Sequence, residues 1–210
     1  ANEKLMPVFV NVTNGIKAED IKNVVGGNER VLIARLNDAK FFFDEDRKKS
    51  LGDTVQGLSK VAFIEKLGNM LEKVERINSL SSWIAHELKL PEGKKEAVKK
   101  ISQLCKADLL THMVYEFGSL QGIMGREYSL LEGSSKDIAD GIFEHYLPRF
   151  AGDKMPSSIE GAIVGIADKI DTIVGCFAAG LIPTGSEDPF ALRRNAQGIA
   201  SVLLAMKISL

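Results

Sequence analysis

Apolar residues recur along most of the chain at intervals of three and four, the spacing that places side chains on one face of an α-helix. The first such run begins at Asn28, a residue type favoured at helix N-caps, and ends at about Arg47. Its apolar positions are Leu32, Leu36, Ala39 and Phe43. The same pattern predicts further helices over residues 54–80, 81–90, 94–117, 120–130, 135–146, 158–180 and 189–207, with an interruption near Gly68. The pattern therefore predicts an all-α fold.

One short segment near the N-terminus has the pattern of a β-strand. Residues 7–12 combine β-branched and aromatic residues and precede the turn-forming Thr13-Asn14-Gly15. Because a lone strand cannot form a sheet, we expect its partner strands upstream in a longer parent protein, which agrees with a chain that begins with Ala rather than Met. We therefore predict that residues 1–15 end an upstream domain and that residues 16–210 form the helical domain.

The composition limits the class of protein. The 210 residues carry 27 Lys and Arg against 28 Asp and Glu, a formal net charge of −1, and 45% are hydrophobic. This balance excludes a protein that wraps nucleic acid by overall charge, so any such contact must come from local basic clusters. We expect neither a membrane span nor a secretory leader, since no apolar run has the required length or flanks. Cys105 and Cys176 lack a Cys-x-x-Cys partner, which predicts reduced, buried thiols in a cytoplasmic protein.

The residues that bind metals in other proteins are sparse here. His86, His112 and His145 lie 26 and 33 residues apart, in no metal-binding arrangement, so we interpret them as partly exposed helical histidines without a ligand role. Asp168 and Asp171 share one face of an apolar helix, where carboxylates must be paired, hydrogen-bonded or metal-bound. An ion pair with another helix is favoured over a metal site.

Two charged segments each allow two interpretations. Residues 44–46, all acidic, lie near a predicted helix C-terminus, where they oppose the helix dipole. We expect the basic residues 47–49 to neutralise them, the alternative being a basic partner. Asp188-Pro189 predicts a helix start, which places Arg193 and Arg194 where the dipole gives cations no advantage. Either internal carboxylates or phosphates of an RNA partner must hold these arginines.

Glycines at 118, 122 and 125 have neither the spacing nor the preceding strand of a phosphate-binding loop. We interpret them as positions where helices approach each other closely.

Eight blocks of the chain, in order between roughly residues 7 and 206, resemble the β subunit of bacterial heterotetrameric glycyl-tRNA synthetase. The blocks are Arg30–Asp46, Glu65–Gly68, Lys73–Ile77, Lys106–Leu109, Leu120–Gly125, His145–Pro148, Ala167–Asp171 and Leu181–Arg194.

The resemblance implies a fragment from the central portion of a longer β subunit. In that family glycine activation by ATP, with Mg²⁺, takes place on the separate α subunit, while the β subunit is required for charging and supplies tRNA-binding parts. The implied partners are the α subunit, tRNA for glycine and the remainder of the β subunit, in the cytoplasm and without a membrane. We expect the fragment alone to be inactive and to hold no cofactor of its own.

The same portion of the family resembles the all-α HD superfamily of metal phosphohydrolases, whose ligands are a histidine, a His-Asp pair and a later aspartate. Asp108 aligns with the aspartate of the pair, but Ala107 stands where its histidine belongs, and Asp168 matches the later aspartate. The resemblance therefore implies a degenerate HD-like fold kept as a scaffold. Spacing leaves open whether His86 or His112 supplies a substitute ligand.

Three functions follow as hypotheses. The first is a scaffold that positions tRNA, with arginines as candidate phosphate contacts because the guanidinium binds phosphate in a bidentate manner. These candidates are Arg30, Arg35, Arg126, Arg193 and Arg194. The alternative is a metal-dependent HD-type phosphohydrolase that uses Asp108, Asp168 and one histidine. The third is a subunit-docking element, which a large exposed apolar patch would identify.

Overall fold

The structure, a computed structural model, describes residues 6–15, 17–185 and 187–209. The chain divides into two compact units, residues 1–44 and residues 45–210. The boundary of these units lies inside a helix, whereas the predicted domain boundary lies between residues 15 and 16. The assignment of residues 1–15 to the end of an upstream domain stays a prediction.

The first unit contains an extended segment and most of one long helix. Residues 6–15 form no β-bridge with any described residue, so the strand predicted at residues 7–12 is not formed. A strand needs a neighbour to satisfy its backbone hydrogen bonds, and the described residues offer this segment none. A 3₁₀ turn, Ala18–Asp20, leads into helix α1, Ile21–Asp46, whose start lies seven residues before the predicted cap Asn28.

The second unit is helical, as the sequence predicts. Its elements are α2 (Leu51–Thr54), β1 (Ala62–Ile64), β2 (Gly68–Asn69), α3 (Met70–Glu87), α4 (Glu92–Leu104), α5 (His112–Glu116), α6 (Ile123–Leu131), α7 (Lys136–Glu144), α8 (Ile159–Ala178) and α9 (Leu192–Met206). Strands β1 and β2 pair antiparallel, and 3₁₀ turns cover Val55–Lys60, Glu65–Leu67, Ala107–Leu110 and Gly118–Leu120. No helix of the described residues is both long and apolar enough to cross a membrane.

The predicted helix over residues 54–80 is interrupted because a strong start signal lies within it. Asn69 accepts a hydrogen bond from the backbone N–H of Glu72, and the Glu72 carboxylate accepts one from the N–H of Asn69. This capping box starts α3 at Met70, and α3 then continues through the predicted boundary at Ser81. Residues 55–69 form turns and the small hairpin instead.

A local cap and a carboxylate distant in sequence together hold the start of a helix inside the predicted 94–117 segment: Thr111 is the N-cap of α5, and its hydroxyl accepts from the backbone N–H of Val114. Asp46 accepts hydrogen bonds from the backbone N–H groups of His112 (2.7 Å) and Met113 (3.0 Å) at the start of α5. It also accepts one from the Tyr128 hydroxyl (2.9 Å). Local periodicity contains no sign of this contact, so the sequence predicted a continuous helix where the structure has α4, a 3₁₀ turn and α5.

The acidic residues 44–46 all have binding partners within the chain. Asp44 pairs with Lys40 and Glu45 with Lys48, while Asp46 binds the start of α5. The expected neutralisation by nearby cations is therefore confirmed for Glu45, and Asp44 uses a lysine one helical turn earlier.

Helix α8 packs against α3, α4, α7 and α9, and its apolar residues form the middle of the core. Its glycines allow close approach to α7. A Cβ atom on Gly165 would lie 2.7 Å from the backbone oxygen of His145, and one on Gly161 would lie 2.8 Å from Glu144 Cβ. The separation of α7 and α8 is thus set by backbone contact, and the core side chains pack at that distance.

We predict that Gly165→Ala lowers the free energy of unfolding by about 1–3 kcal/mol, because backbone atoms cannot move aside as a flexible side chain does. The matched control is Gly93→Ala on α4, where an added Cβ meets nothing within 4 Å. There the same substitution should raise stability by about 0.5–1 kcal/mol through helix propensity. Urea unfolding followed by circular dichroism measures both values, and equal effects of the two variants would contradict the close contact.

Candidate functional site

Asp168 on α8 is bound by two lysines, one to each carboxylate oxygen. Lys106 Nζ, just after α4, lies 2.7 Å from Oδ2, and Lys73 Nζ on α3 lies 2.8 Å from Oδ1. The side chains of Lys73, Lys106 and Asp168 are only 4%, 6% and 14% exposed. The predicted ion pair between Asp168 and another helix is therefore confirmed, and we name Lys73, Lys106, Asp168 and His145 the lysine–aspartate cluster.

Lys73 extends the cluster along α8 toward the surface. Its Nζ also lies 3.0 Å from Asp171 Oδ2 and 2.8 Å from Thr172 Oγ1, and it stands 4.4 Å from the centre of the Phe63 ring. Asp171 in turn binds Arg76 through Nε and Nη2, at 2.5 and 3.3 Å. Asp171 is thus paired as predicted, and its partners lie on α3.

Lys106 also fixes the protonation of His145. Its Nζ lies 2.9 Å from His145 Nε2, while His145 Nδ1 lies 2.5 Å from the backbone oxygen of Ile142. A carbonyl only accepts, so Nδ1 carries the proton and Nε2 accepts from the ammonium group. Lys106 Nζ also lies 4.1 Å from the centre of the Tyr146 ring, a cation–π contact.

Burial and neighbouring charge set the titration of this cluster. Burial favours the protonated form of Asp168, but the charges of Lys106 and Lys73 outweigh it and hold the pKa of the carboxyl well below its usual range. Burial, helped by the charge of Lys106, lowers the pKa of His145 well below its ordinary value. At neutral pH the cluster therefore holds an ionised aspartate and an uncharged histidine.

A third buried lysine caps the end of α7. Lys169 Nζ lies 3.2 Å from the backbone oxygen of His145 and 3.1 Å from that of Leu147. Burial lowers the pKa of Lys169 to about 8, although the nearby Asp168 acts in the opposite direction. A cation at a helix C-terminus is favoured by the helix dipole, so Lys169 ties α8 to the carbonyl end of α7.

Asp108 has a different neighbourhood from Asp168. Its Oδ2 accepts hydrogen bonds from the backbone N–H groups of Gly122 (2.6 Å) and Gly125 (3.2 Å), and its Oδ1 has no partner among the described residues. Burial raises the pKa of the carboxyl, against the effect of these hydrogen bonds. The backbone N–H groups of Gly122 and Gly125 are thus bound to Asp108, which agrees with the interpretation that this segment is not a phosphate-binding loop.

The residues do not fit the divalent metal that an HD-like site implies. Both oxygens of Asp168 are held by ammonium groups, which occupy the place where a cation would bind. His86 and His112, the suggested substitute ligands, are exposed. No group of three or more His, Cys, Asp or Glu within the described residues is arranged to hold a metal ion. The alternative of a metal-dependent phosphohydrolase is therefore not supported.

The cluster also lacks a group free for acid–base or nucleophilic chemistry. Each oxygen of Asp168 and each ring nitrogen of His145 has a partner inside the protein. Cys105 is a free, buried thiol whose pKa burial raises to about 12, so it is not a thiolate at neutral pH. The arrangement can hold four chain segments in place, and we interpret it as structural.

The five candidate arginines lie on three helices, α1, α6 and α9, and differ in what holds them. Arg30 and Arg35 lie on α1 in the first unit and are exposed. Arg126 on α6 pairs with Asp140, at 2.7 Å. Arg193 and Arg194 both lie in the first turn of α9, but they differ in their contacts with the rest of the fold.

Arg193 and Arg194 differ in what holds them. The Arg193 guanidinium donates to the backbone oxygens of Gly185 (2.7 Å) and Thr184 (3.2 Å), so it fastens the preceding turn. Arg194 is exposed and forms no hydrogen bond or ion pair with the residues that the structure describes. Asp188 accepts from the N–H groups of Leu192 and Arg193 and so caps α9, which begins three residues later than predicted.

Sequence reasoning missed Lys73, Lys106 and His145 as members of one cluster, and the expectation that His145 is partly exposed is wrong, because its side chain is fully buried. Lys73 lies among exposed charged residues, where a buried lysine has the same local pattern as a surface one, and Lys106 follows a helix whose lysines face solvent. The available signal was the pair of aspartates on an apolar helix, which required buried cations elsewhere without saying which.

We predict that Lys106→Met lowers the free energy of unfolding by about 3–5 kcal/mol, because it leaves Asp168 with one cation and His145 without its donor. The matched control is Lys136→Met, which removes an exposed lysine paired with Asp140. That change should cost no more than about 0.5 kcal/mol. Chemical denaturation measures both, and similar losses would show that the cluster does not stabilise the fold.

We also predict that His145 gives the stability a pH dependence below neutrality. As the pH falls below about 6.5, the unfolded chain takes up a proton that the folded chain excludes, so the free energy of unfolding falls by up to about 1.4 kcal/mol per pH unit. His145→Gln should lack this part of the slope between about pH 6.5 and 5, whereas the control His112→Gln, at an exposed position, should keep it. Denaturant titrations across this range test the difference, and parallel curves for the two variants would disprove it.

The comparisons with known proteins agree with the resemblance. A family model described as "Glycyl-tRNA synthetase beta subunit" matches residues 1–210. A glycine–tRNA ligase beta subunit of Desulforamulus reducens is 51% identical over 207 residues, covering 99% of this chain and 30% of its own length. The corresponding proteins of Geotalea uraniireducens and Moorella thermoacetica are 53% and 48% identical, covering 97% and 99% of this chain and 29% and 30% of their own lengths.

These matches extend over nearly the whole chain at about half identity, although the chain spans only about 30% of the length of these relatives. With the family model matching every residue, the chain belongs to the glycyl-tRNA synthetase β subunit family.

Proposed function

We propose that the chain is a helical portion of a glycine–tRNA ligase β subunit and supports the charging of tRNA with glycine by scaffolding and tRNA positioning. The observation that carries this proposal is the family match over residues 1–210. Glycine activation, with its ATP and Mg²⁺, is assigned to the separate α subunit, and the chain alone is expected to have no charging activity. The setting is the cytoplasm.

The chemistry of the interior supports a role without catalysis in this portion. The buried ionisable groups of the lysine–aspartate cluster hold one another, and the carboxylate of Asp108 is bound by backbone N–H groups. Buried ionisable groups that are paired with one another hold the helices in fixed relative positions and are not available to a reacting molecule. A scaffold needs this property, because tRNA must be presented to a catalytic centre on another chain at a fixed position.

The exposed residues of α1 support contact with another part of the whole protein. Over residues 21–44 this helix buries no side chain, and seven of its large apolar side chains are exposed. They are Ile21, Val25, Val31, Leu32, Ile33, Leu36 and Phe41. An exposed apolar surface of this kind marks an interaction site, and we assign it to the remainder of the β subunit.

The tRNA contacts are proposed among the candidate arginines. Arg30, Arg35 and Arg194 are exposed. Arg30 donates to the backbone oxygen of Gly26, Arg126 is bound to Asp140, and Arg193 donates to backbone oxygens. A guanidinium already held by the protein has fewer donors left for a phosphate. We therefore rank Arg194 first in the second unit.

We predict that the 210-residue chain binds tRNA for glycine and that its affinity falls about tenfold between roughly 50 and 200 mM salt, as expected for about two phosphate contacts. Fluorescence anisotropy with labelled tRNA across a salt series measures this. A binding constant independent of salt, or no binding at the lowest salt, would refute tRNA positioning by this portion and leave the docking role.

A further inference from the structure

A small cavity lies between α9 and the turn that follows α7. Its volume is about 160 Å³, and its lining comes from two segments of the second unit. The turn contributes Pro148, Phe150, Ala151, Gly152 and Met155, and α9 contributes Arg194, Gln197, Gly198 and Ser201. Whole small-molecule pockets measure about 300–1,000 Å³, so this cavity has room for one part of a ligand.

The helical side of the cavity presents three polar groups in a row. Arg194, Gln197 and Ser201 are spaced by three and four residues, which places them on one face of α9. None of these three side chains forms a hydrogen bond with another residue in the described part of the chain. The guanidinium, the amide and the hydroxyl are therefore all available to a ligand.

The opposite side of the cavity is apolar and aromatic. Phe150 is 55% exposed, so part of its ring surface is accessible to a ligand. The Arg149 guanidinium lies 5.8 Å from the centre of its ring and is held by Asp153, so this second cation is fixed beside the ring. The lining itself contains no carboxylate, and Asp188, which interacts electrostatically with Arg194, lies outside it.

An aromatic ring that a base can stack on, beside a free guanidinium and neutral hydrogen-bonding groups, is the chemistry of single-stranded RNA binding. We propose that this cavity, which we name the Phe150–Arg194 site, binds one unpaired nucleotide of an RNA, with its base on Phe150 and its phosphate on Arg194. Gln197 and Ser201 then contact the base edge or the ribose hydroxyl. This inference rests on the proposed function and assigns it a location.

The test uses the 210-residue chain and a labelled single-stranded oligoribonucleotide of about eight nucleotides, a length within the usual site size. Phe150→Ala should weaken binding roughly 5- to 150-fold with an unchanged salt slope, because stacking releases no counterions. Arg194→Ala should weaken binding and reduce the salt slope by about one phosphate. Phe150→Tyr should restore binding, since a tyrosine ring also stacks.

Two substitutions outside the cavity serve as matched controls. Tyr115→Ala removes an aromatic side chain that is 88% exposed, and Lys100→Ala removes an exposed cation on α4. Both should bind the oligoribonucleotide as the unsubstituted chain does. Urea unfolding shows whether each variant is folded under the binding conditions, so that a loss of binding can be assigned to the removed side chain.

The outcomes separate the site from the proposed function. If the unsubstituted chain binds tRNA and the oligoribonucleotide, but the Phe150 and Arg194 variants bind like the controls, the site is wrong and the function stands. Loss of binding with Arg194→Ala alone would mean a phosphate contact without a stacked base, which also overturns the proposal. No RNA binding by the unsubstituted chain would refute both.

Discussion

The carboxylate of Asp168 is the point on which the second unit depends. Its two oxygens receive ammonium groups from Lys73 and Lys106, and Lys106 continues to His145, so one buried aspartate connects α3, the end of α4, α7 and α8. An unpaired carboxylate in this position would cost several kcal/mol or more. The segments are therefore held in one relative arrangement, and the Gly165 contact fixes the distance between two of them.

The same buried groups also position the two walls of the Phe150–Arg194 site. Pro148 and Phe150 directly follow the end of α7, which Lys169 binds through its terminal carbonyls, while Gly198 of α9 lies against the Lys169 side chain. The two walls of the Phe150–Arg194 site are thus attached to the same buried lysine. A binding surface made of a loop and a helix keeps its shape when both are fastened to the core.

The sequence predicted the all-α class, the later helices and the pairing of Asp168 and Asp171, because helical periodicity and the cost of a buried charge are both local properties. It did not predict the turn structure of residues 55–69 or the helix start at His112. Thr111 caps that start locally, but Asp46, which binds two of its backbone N–H groups, is distant in sequence. Lys73 and Lys106 were missed for a related reason: burial of a lysine is decided by the partner that tertiary structure brings to it. Arg193 and Arg194 are identical in type and adjacent, and only the fold shows that Arg193 donates hydrogen bonds to backbone oxygens whereas Arg194 donates none to the described residues.

The ionic character of the core also determines how the protein responds to heat. The hydration of charged groups becomes less favourable as temperature rises, so the penalty for keeping Asp168 and its two lysines out of water shrinks. Burial of the surrounding apolar side chains does not gain in the same way, because its stabilisation levels off at high temperature. The share of the folding free energy that comes from these three charged groups thus grows as the protein warms. The desolvation cost of the cluster is greatest at low temperature and becomes smaller as the temperature rises.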